Sequence, residues 1–263
     1  MLAAFHRKLV SAPFLGVPTH HTLKRFERIN EGPTMIQKNL RENAAAICAS
    51  SGCKLPIRNH LDDHGLSLLY TDSDTSVAGR SGVKVAWTGS LDNYRDLCEL
   101  YSGCDRLMSQ NDPAQLVLTL YLQGYKDLYN DNSSQPQTWL AAAEGDFAFI
   151  LHDSRTRYTF VARKGEQFPL YWGADSADAD SIIITTVPSY LSPFPPGCAF
   201  ESQVNDEGEG DSRMFNFVRE NPHEQGVDCI RRIDSKGHLC GLTFKSVSGQ
   251  DLVNMQAAAR HIF

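Results

Sequence analysis

The sequence predicts an α+β fold in which antiparallel strands pack against helices. Two runs of alternating apolar residues, 147–152 and 158–163, flank a short polar break at 153–156, which is the pattern of an antiparallel hairpin. Gly165 then interrupts the chain before a third strand, predicted over 168–172. Apolar residues at helical spacing over 91–101 and 116–129 predict two helices ahead of the hairpin.

The other elements follow from local patterns. Residues 1–5 form a short apolar run typical of an edge or central strand, and good helix formers over 35–49 predict a helix. Val83, Val85 and Trp87 alternate with less apolar neighbours, so they predict a half-buried strand that Thr88-Gly89 ends. Ser90 is suited to cap the helix over 91–101. Downstream we predict a helical turn over 139–144 and strands over 181–187, 214–218, 229–233 and 239–244.

Asp112 marks the strongest helix start. A carboxylate suits the N-cap position, Pro113 suits the first helical position, and Gln115 completes a capping box. The following apolar surface is wide. We therefore predict a helix from 112 to about 129 that is buried on more than one side.

The chain of 263 residues predicts one main domain over 1–246 and a C-terminal tail over 247–263. Residues from about 10 to 80 follow no sustained pattern and are interpreted as an insertion. Residues 201–212 contain five acidic residues and no basic residue, so we predict an exposed loop there rather than a cation site.

Composition excludes several classes of function. Twenty-five basic and thirty-one acidic residues give a net charge of −6 with no basic cluster, which argues against nucleic acid as a partner. No apolar run approaches the span of about 20 residues that a membrane helix needs. Signatures such as GxSxG, GxGxxG, HExxH and the phosphate loop do not occur, so neither a cofactor nor a metal is predicted.

Seven cysteines, an odd and sparse set, indicate thiols in a reducing compartment, the cytoplasm or the nucleus. Cys48 with Cys53, and Cys98 with Cys104, lack the tight spacing of a zinc knuckle. The first 26 residues contain no acid, which leaves an organellar transit peptide as the less favoured alternative.

Taken in order, the apolar start, Thr88-Gly89, the helix opened by Asp112, GDFAFILHDSRTRYTFVAR, FPLYWG and FPPGCAF resemble a known family. The order is similar to the class II glutamine amidotransferase domain, of the N-terminal-nucleophile hydrolase fold. Within it, the chain most resembles the plant aluminium-induced, stem-specific proteins with YGL and LRDR motifs. Here residues 101–103 read YSG and residues 124–127 read GYKD, so the chain is identified as a divergent member.

The resemblance implies a four-layer αββα sandwich, two antiparallel sheets between helices. It also implies a site. In such amidotransferases an N-terminal cysteine attacks the glutamine amide while its own α-amine serves as the base, and that position corresponds to Leu2, which has no nucleophilic atom. A bulky residue at this position also predicts that Met1 is kept.

The supporting positions differ as well. Thr88-Gly89 stands where the resemblance places an Asn-Gly pair that holds the oxyanion, and Ser90 stands where it places a glutamate. Asp112 corresponds to the aspartate that binds the substrate amine, although a strict alignment puts Pro113 there, and a helix cap is the simpler interpretation of Asp112. Arg163 matches the arginine that closes the hairpin, or it pairs only with a local carboxylate.

These substitutions predict a protein that has lost glutamine hydrolysis, a pseudoenzyme. The resemblance implies a stress- or metal-responsive binding or interaction role, with a small-molecule or protein ligand or a homodimer as the partner. The alternative is an active glutamine amidohydrolase or amidotransferase with a relocated or processed nucleophile. Cys48, Cys198 and Cys240 are candidates for it, but no spacing marks a nucleophile and base pair.

Overall fold

A computed structural model describes residues 2–6, 58–61, 66–70, 75–101, 104–123, 139–174, 181–186, 191–204, 210–218, 224–233 and 239–247. The strands within these ranges are β1 Leu2–His6, β2 Arg58–Leu61, β3 Leu66–Tyr70, β4 Thr75–Arg80, β5 Val83–Gly89, β6 Phe147–Asp153, β7 Tyr158–Lys164, β8 Tyr171–Ala174, β9 Ser181–Thr185, β10 Ser192–Pro193, β11 Cys198–Val204, β12 Gly210–Asn216, β13 Glu224–Ile233 and β14 Leu239–Val247. The helices are α1 Tyr94–Leu100, a 3₁₀ turn Asp105–Leu107, α2 Pro113–Leu122 and α3 Trp139–Ala142.

The strands form two antiparallel sheets, which confirms the α+β fold class. Sheet A has the order β2-β3-β1-β9-β8-β14-β13, with the short β10 beside β8. Sheet B has the order β12-β11-β7-β6-β5-β4. The first residues of β13 pair with β12 and the rest with β14, so this strand joins the two sheets.

The face of sheet B that meets sheet A is organised in three rows of directly opposed residues. The middle row is apolar and packs against Trp172, Ile182 and Ile184 of sheet A; it consists of Val77, Ala86, Ile150, Val161, Phe200 and Met214. One flanking row, the His152 row, consists of Lys84, His152, Thr159, Ser202 and Ser212. The other, the polar row, consists of Thr75, Thr88, Ala148, Arg163, Cys198 and Asn216. The apolar centre holds the sheets together, and polar chemistry lies at both ends of the interface.

The opposite face of sheet B packs against the helices. Trp87 on β5 stacks on Phe149 of β6 with ring centroids 5.3 Å apart, and Phe149 stacks on Phe160 at 5.8 Å. Helices α1, α2 and α3 bury Leu97, Leu116 and other side chains in the same cluster. The described residues therefore supply a helical layer, sheet B and sheet A. A second helical layer, the fourth predicted layer, is not among the described residues, and the helix predicted over 35–49 lies outside them.

The hairpin is confirmed residue by residue. Strand β6 pairs with β7 from Phe147 opposite Lys164 to Asp153 opposite Tyr158, and all seven residues of β6 are buried. Both faces are covered because one lies against sheet A and the other against the helices. The third strand begins at Tyr171 rather than at 168.

The prediction that Ser90 caps the first helix is wrong. Helix α1 begins at Tyr94, three residues later than predicted, with Asn93 at the N-cap position and no side-chain capping bond. The backbone N–H of Ser90 instead donates to Asp146 O at 2.8 Å, and that of Asp92 donates to Glu144 O at 2.9 Å. These bonds hold the chain against the segment that leads into β6, so it cannot turn into a helix until Asn93.

The prediction of an exposed loop over 201–212 is wrong at both ends, whereas residues 205–209 lie outside the described residues. Strand β11 continues through Glu201 to Val204, and β12 starts at Gly210, with Ser202 directly opposite Ser212. Ser202 and Val204 are buried, so this stretch alternates as a strand does. The acids masked that alternation.

The described residues between 58 and 80, which were interpreted as part of an insertion, add strands to both sheets. Strands β2 and β3 extend sheet A beside β1, and β4 forms the edge of sheet B beside β5. The predicted first strand is confirmed as β1, which lies centrally between β3 and β9. Residues 248–263 of the predicted tail, and 124–129 of the predicted second helix, lie outside the described residues. Among the helices of the described ranges, not one has the length and apolarity to cross a membrane.

Candidate functional site

The polar row gathers several of the predicted site residues at one end of the sheet interface. Thr88 lies directly opposite Ala148, Ala148 opposite Arg163, and Arg163 opposite Cys198. Asn216 completes the row beside Cys198. In antiparallel sheets directly opposed Cβ atoms are about 4.5–5.5 Å apart, so these side chains are neighbours.

Arg163 is the only charged member of the polar row and is 5% exposed. Its Nη1 donates to Phe194 O at 2.6 Å, and its Nη2 lies 3.4 Å from Glu166 Oε2. Arg163 therefore pairs with a local carboxylate, as the alternative interpretation predicted, but the Glu166 side chain is 82% exposed and lies mostly in solvent.

Cys198 and Asn216 occupy the far end of the row. The Asn216 Nδ2 lies 3.9 Å from Cys198 Sγ, while Asn216 Oδ1 accepts from the backbone N–H of Val218 at 3.1 Å. The bond to Val218 fixes the carboxamide with its NH₂ group toward the thiol. Sequence analysis named Cys198 only as one of three candidate thiols and missed Asn216. The alternation of buried Met214 and Asn216 along β12 is the signal that could have placed it on this face.

Gly89 directly follows Thr88 at the end of β5. Its φ is +103°, and an added Cβ would lie 2.3 Å from Asp146 O and 2.8 Å from Phe147 Cα. Only glycine fits such a conformation and such a close approach. The glycine therefore has a structural reason that is independent of any oxyanion role.

Ser90 is exposed and anchored through its backbone, as described above. The anchoring segment is itself held by side chains. Asn93 Nδ2 donates to Ala142 O and Asn93 Oδ1 accepts from the N–H of Glu144, both at 2.9 Å. The Lys164 Nζ donates to Ala143 O, and burial lowers the pKa of Lys164 below its ordinary value while Glu144 opposes the shift. These hydrogen bonds hold the segment 142–144 in place at this end of sheet B.

Asp112 is the N-cap of α2, as its simpler interpretation predicts. Its Oδ1 accepts from the backbone N–H of Gln115 at 3.3 Å, with Pro113 at the first helical position. The capping box is only half formed, because the Gln115 side chain donates to Thr119 Oγ1 instead. Nearby, the Tyr94 hydroxyl donates to Leu107 O at 2.8 Å, and burial raises the pKa of Tyr94 to about 12.

Leu2 is the first residue of β1 and lies opposite Leu69 on β3 and Thr185 on β9. The position that the resemblance assigns to a nucleophile thus starts a central strand of sheet A. Within the described ranges, His, Cys, Asp and Glu side chains form no group of three or more suited to a metal ion.

These features define a two-sheet α+β sandwich with a polar, cation-containing row at one end of the inter-sheet face. A model of the family described as "Aluminium induced protein" matches residues 2–246, and the chain belongs to this family. A search of the curated proteins gives no match.

Three solved structures show remote similarity. One is a glutamine phosphoribosylpyrophosphate amidotransferase from B. subtilis, 18% identical over 64% of this chain and 36% of that one, with a TM-score of 0.34. A second, described as an allosteric regulatory enzyme of purine biosynthesis, is 19% identical over 54% of this chain and 30% of that one, with a TM-score of 0.31. This chain thus spans about a third of the length of either. A third, a glutamine aminotransferase class-II domain protein from Silicibacter pomeroyi, is 14% identical over 83% of this chain and 91% of that one, with a TM-score of 0.39.

Proposed function

We propose that this protein is a non-catalytic, amidotransferase-like binding or interaction protein with a stress- or metal-responsive role. The observation that carries the proposal is Leu2 at the start of β1. A hydrocarbon side chain cannot attack an amide carbon. Removing the nucleophile of a hydrolytic enzyme costs on the order of 10⁶ in turnover, so the rest of the site could not sustain glutamine hydrolysis by that mechanism.

The other positions that match the amidotransferase site support the same proposal. The Asp112 carboxylate is engaged in capping α2, and Thr88 is buried in the ladder between Thr75 and Ala148. Ser90, in place of an acid, contributes its backbone N–H to the contact with Asp146. Each of these residues therefore has a role in the fold that does not depend on a substrate.

The rival is an amidohydrolase with a relocated nucleophile, and Cys198 is the observation that favours it. The thiol lies directly opposite the buried Arg163, and a neighbouring cation favours the reactive thiolate. The resemblance, however, places the nucleophile at position 2 and not at Cys198. We therefore rank this function second.

The location that we propose, the cytoplasm or the nucleus, is supported by cysteines. Cys98, Cys104 and Cys198 are buried thiols outside any disulfide, as expected in a reducing compartment. We also propose a homodimer, in which the interaction partner is a second copy of the chain.

A glutaminase assay tests the proposal. Purified protein is incubated with glutamine, and glutamate and ammonia are measured against a heat-killed control, with intact mass recorded to detect processing. We expect no turnover above the control and an unprocessed mass. Turnover that Cys198→Ala abolishes, or a mass that begins at an internal Cys, Ser or Thr, would establish the rival function.

A further inference from the structure

The proline-rich corner ahead of β11 is buried with a period of three residues. Leu191, Phe194 and Gly197 are all buried. Pro193 and Pro196, which are also three positions apart, are both exposed. A strand alternates every two residues, whereas the polyproline II helix has three residues per turn. The burial pattern therefore indicates a polyproline II segment with one edge in the core and another in solvent.

Local chemistry favours the same conformation. A proline ring fixes its own φ near −65°, and the residue before a proline is restricted to extended ψ values. Ser192, Phe194 and Pro195 each precede a proline, so the chain is extended over 192–195. Gly197, with a φ of +71°, then turns the chain into β11. The segment thus holds this conformation without help from a partner.

Hydrogen bonds anchor the inner edge of the corner. The Phe194 N–H donates to Leu170 O at 2.7 Å, and Phe194 O accepts from Arg163 Nη1 at 2.6 Å. The Gly197 N–H donates to Arg163 O at 2.8 Å, and Gly197 O accepts from Phe217 N–H at 2.9 Å. A segment that is already ordered loses little conformational entropy when its outer edge is covered.

The outer edge, Pro193 and Pro196, is called the proline ridge below. It continues into Val218, because Val218 Cβ lies 3.4 Å from the point that a Cβ on Gly197 would occupy. Val218 is 53% exposed, and among the described residues only it and Leu100 are large exposed hydrophobic residues. The ridge and Val218 together form a rigid apolar surface in solvent.

One negative charge lies beside the proline ridge. Arg163, which donates to Phe194 O between the two ridge prolines, also contacts Glu166. The Glu166 side chain is 82% exposed, so its charge faces solvent. A protein that covers the ridge is therefore favoured by a basic residue at the rim of its binding surface.

We propose that the proline ridge is a docking site for a protein module that binds proline in an aromatic-lined groove with a basic residue at its rim. The inference rests on the proposed function, because it names the class of partner of an interaction protein. Such grooves take prolines that are preformed in polyproline II and spaced as Pro193 and Pro196 are. The third edge of the segment does not interfere, since Phe194 points into the core.

Recombinant SH3 and WW domains are the probes that test the ridge. Each domain is titrated into the full chain and followed by calorimetry, with and without poly-L-proline as a competitor. We expect saturable binding of at least one domain and displacement by poly-L-proline, because both ligands need the same groove. Absence of binding by every domain, or binding that poly-L-proline does not reduce, would overturn the proposal.

Variants assign the binding to the ridge. Pro196→Ala should weaken it at least about tenfold, as expected of an anchor at the centre of an interface. Glu166→Gln should mainly reduce the salt dependence. Leu100→Ala is the matched control, because it removes the other large exposed hydrophobic side chain and should leave the affinity unchanged. Equal losses in Pro196→Ala and Leu100→Ala, or no loss in Pro196→Ala, would contradict the assignment.

If Pro196→Ala does not fold, the wild-type protein still decides the matter. The methyl resonances of Val218, identified by their absence in Val218→Ala, should shift when the bound domain is added, and unmoved resonances refute the site. Self-association of the chain that excess domain does not disrupt would show that a second copy covers the ridge, which also overturns the proposal. The glutaminase assay is independent: domain binding with glutamine turnover overturns only the non-catalytic function, and neither activity overturns only the docking site.

Discussion

Replacing Gly89 by alanine tests how strictly the end of β5 depends on glycine. At a φ of +103° an alanine is strained by about 1–3 kcal/mol. Its methyl group would also lie 2.3 Å from Asp146 O and 2.8 Å from Phe147 Cα, both backbone atoms that cannot rotate away. Relieving that overlap requires β5 and the start of β6 to separate, which typically costs about 1–3 kcal/mol more.

We therefore expect Gly89→Ala to lower the free energy of unfolding by about 2–6 kcal/mol. Urea unfolding followed by circular dichroism measures it, with an unchanged m-value showing that the denatured state is not altered. The melting temperature should fall by about 5 °C or more. This loss is a property of the fold and should be the same with or without any ligand.

Gly79→Ala is the matched control. Gly79 lies on β4, where an added Cβ would meet Val83 O at 3.4 Å and Lys84 Cγ at 3.6 Å, ordinary contact distances. Its substitution should change the free energy of unfolding by no more than about 0.5 kcal/mol. A Gly89→Ala protein as stable as wild type, or two variants that lose stability equally, would refute the reasoning.

Two further predictions concern polar groups of the described residues. Asp112→Ala should destabilise the protein by about 1 kcal/mol through loss of the helix cap, while Asp112→Asn, which still accepts a bond from Gln115 N–H, should lose only a fraction of that; urea unfolding that finds the two variants equally weakened would show that the charge, not the cap, matters. Burial raises the pKa of Asp153, but hydrogen bonds from the Arg155 side chain and backbone and from Tyr121 outweigh it and hold the pKa below its ordinary value. A depressed folded-state pKa contributes stability above the unfolded value near 3.8 that is lost as pH falls through the folded value, so Arg155→Met should move the acid-unfolding midpoint to higher pH, whereas an unshifted midpoint, or an equal shift in the exposed control Arg95→Met, would contradict this role.

The hairpin could be predicted from sequence because its signal is local. Alternation along 147–152 and 158–163, with a short polar break between them, predicts both strands and their antiparallel pairing, and Asp112-Pro113 predicts the start of α2. By contrast, the Ser90 cap was wrong because its backbone is held by Asp146, 56 positions away, and no local pattern records that contact. The loop predicted over 201–212 was wrong at both ends for a related reason: the acidic residues obscured β11, whose pairing depends on β7 and β12.

The candidate site was only partly predictable. Thr88 and Arg163 were found through resemblance, but their relation to Cys198 and Asn216 depends on the register of five strands, β5, β6, β7, β11 and β12. Period-two alternation tells which residues share the face of one strand. It does not tell which residues of different strands become neighbours, so the polar row emerges only when the pairings are known.

The distinction between a retained scaffold and a retained site can now be drawn residue by residue. Gly89 is required by its positive φ and by the approach of Asp146, and Asp112 is required by the cap of α2, so the presence of either says nothing about catalysis. Arg163 is different, because the fold gains little from burying a charge whose Nε has no partner among the described residues and whose nearest carboxylate is in solvent. A well-packed apolar residue at that position would be expected to stabilise the sheet interface at least as well. The described contacts of Arg163, with Phe194 O and Glu166, therefore explain its presence less completely than those of Gly89 and Asp112 explain theirs.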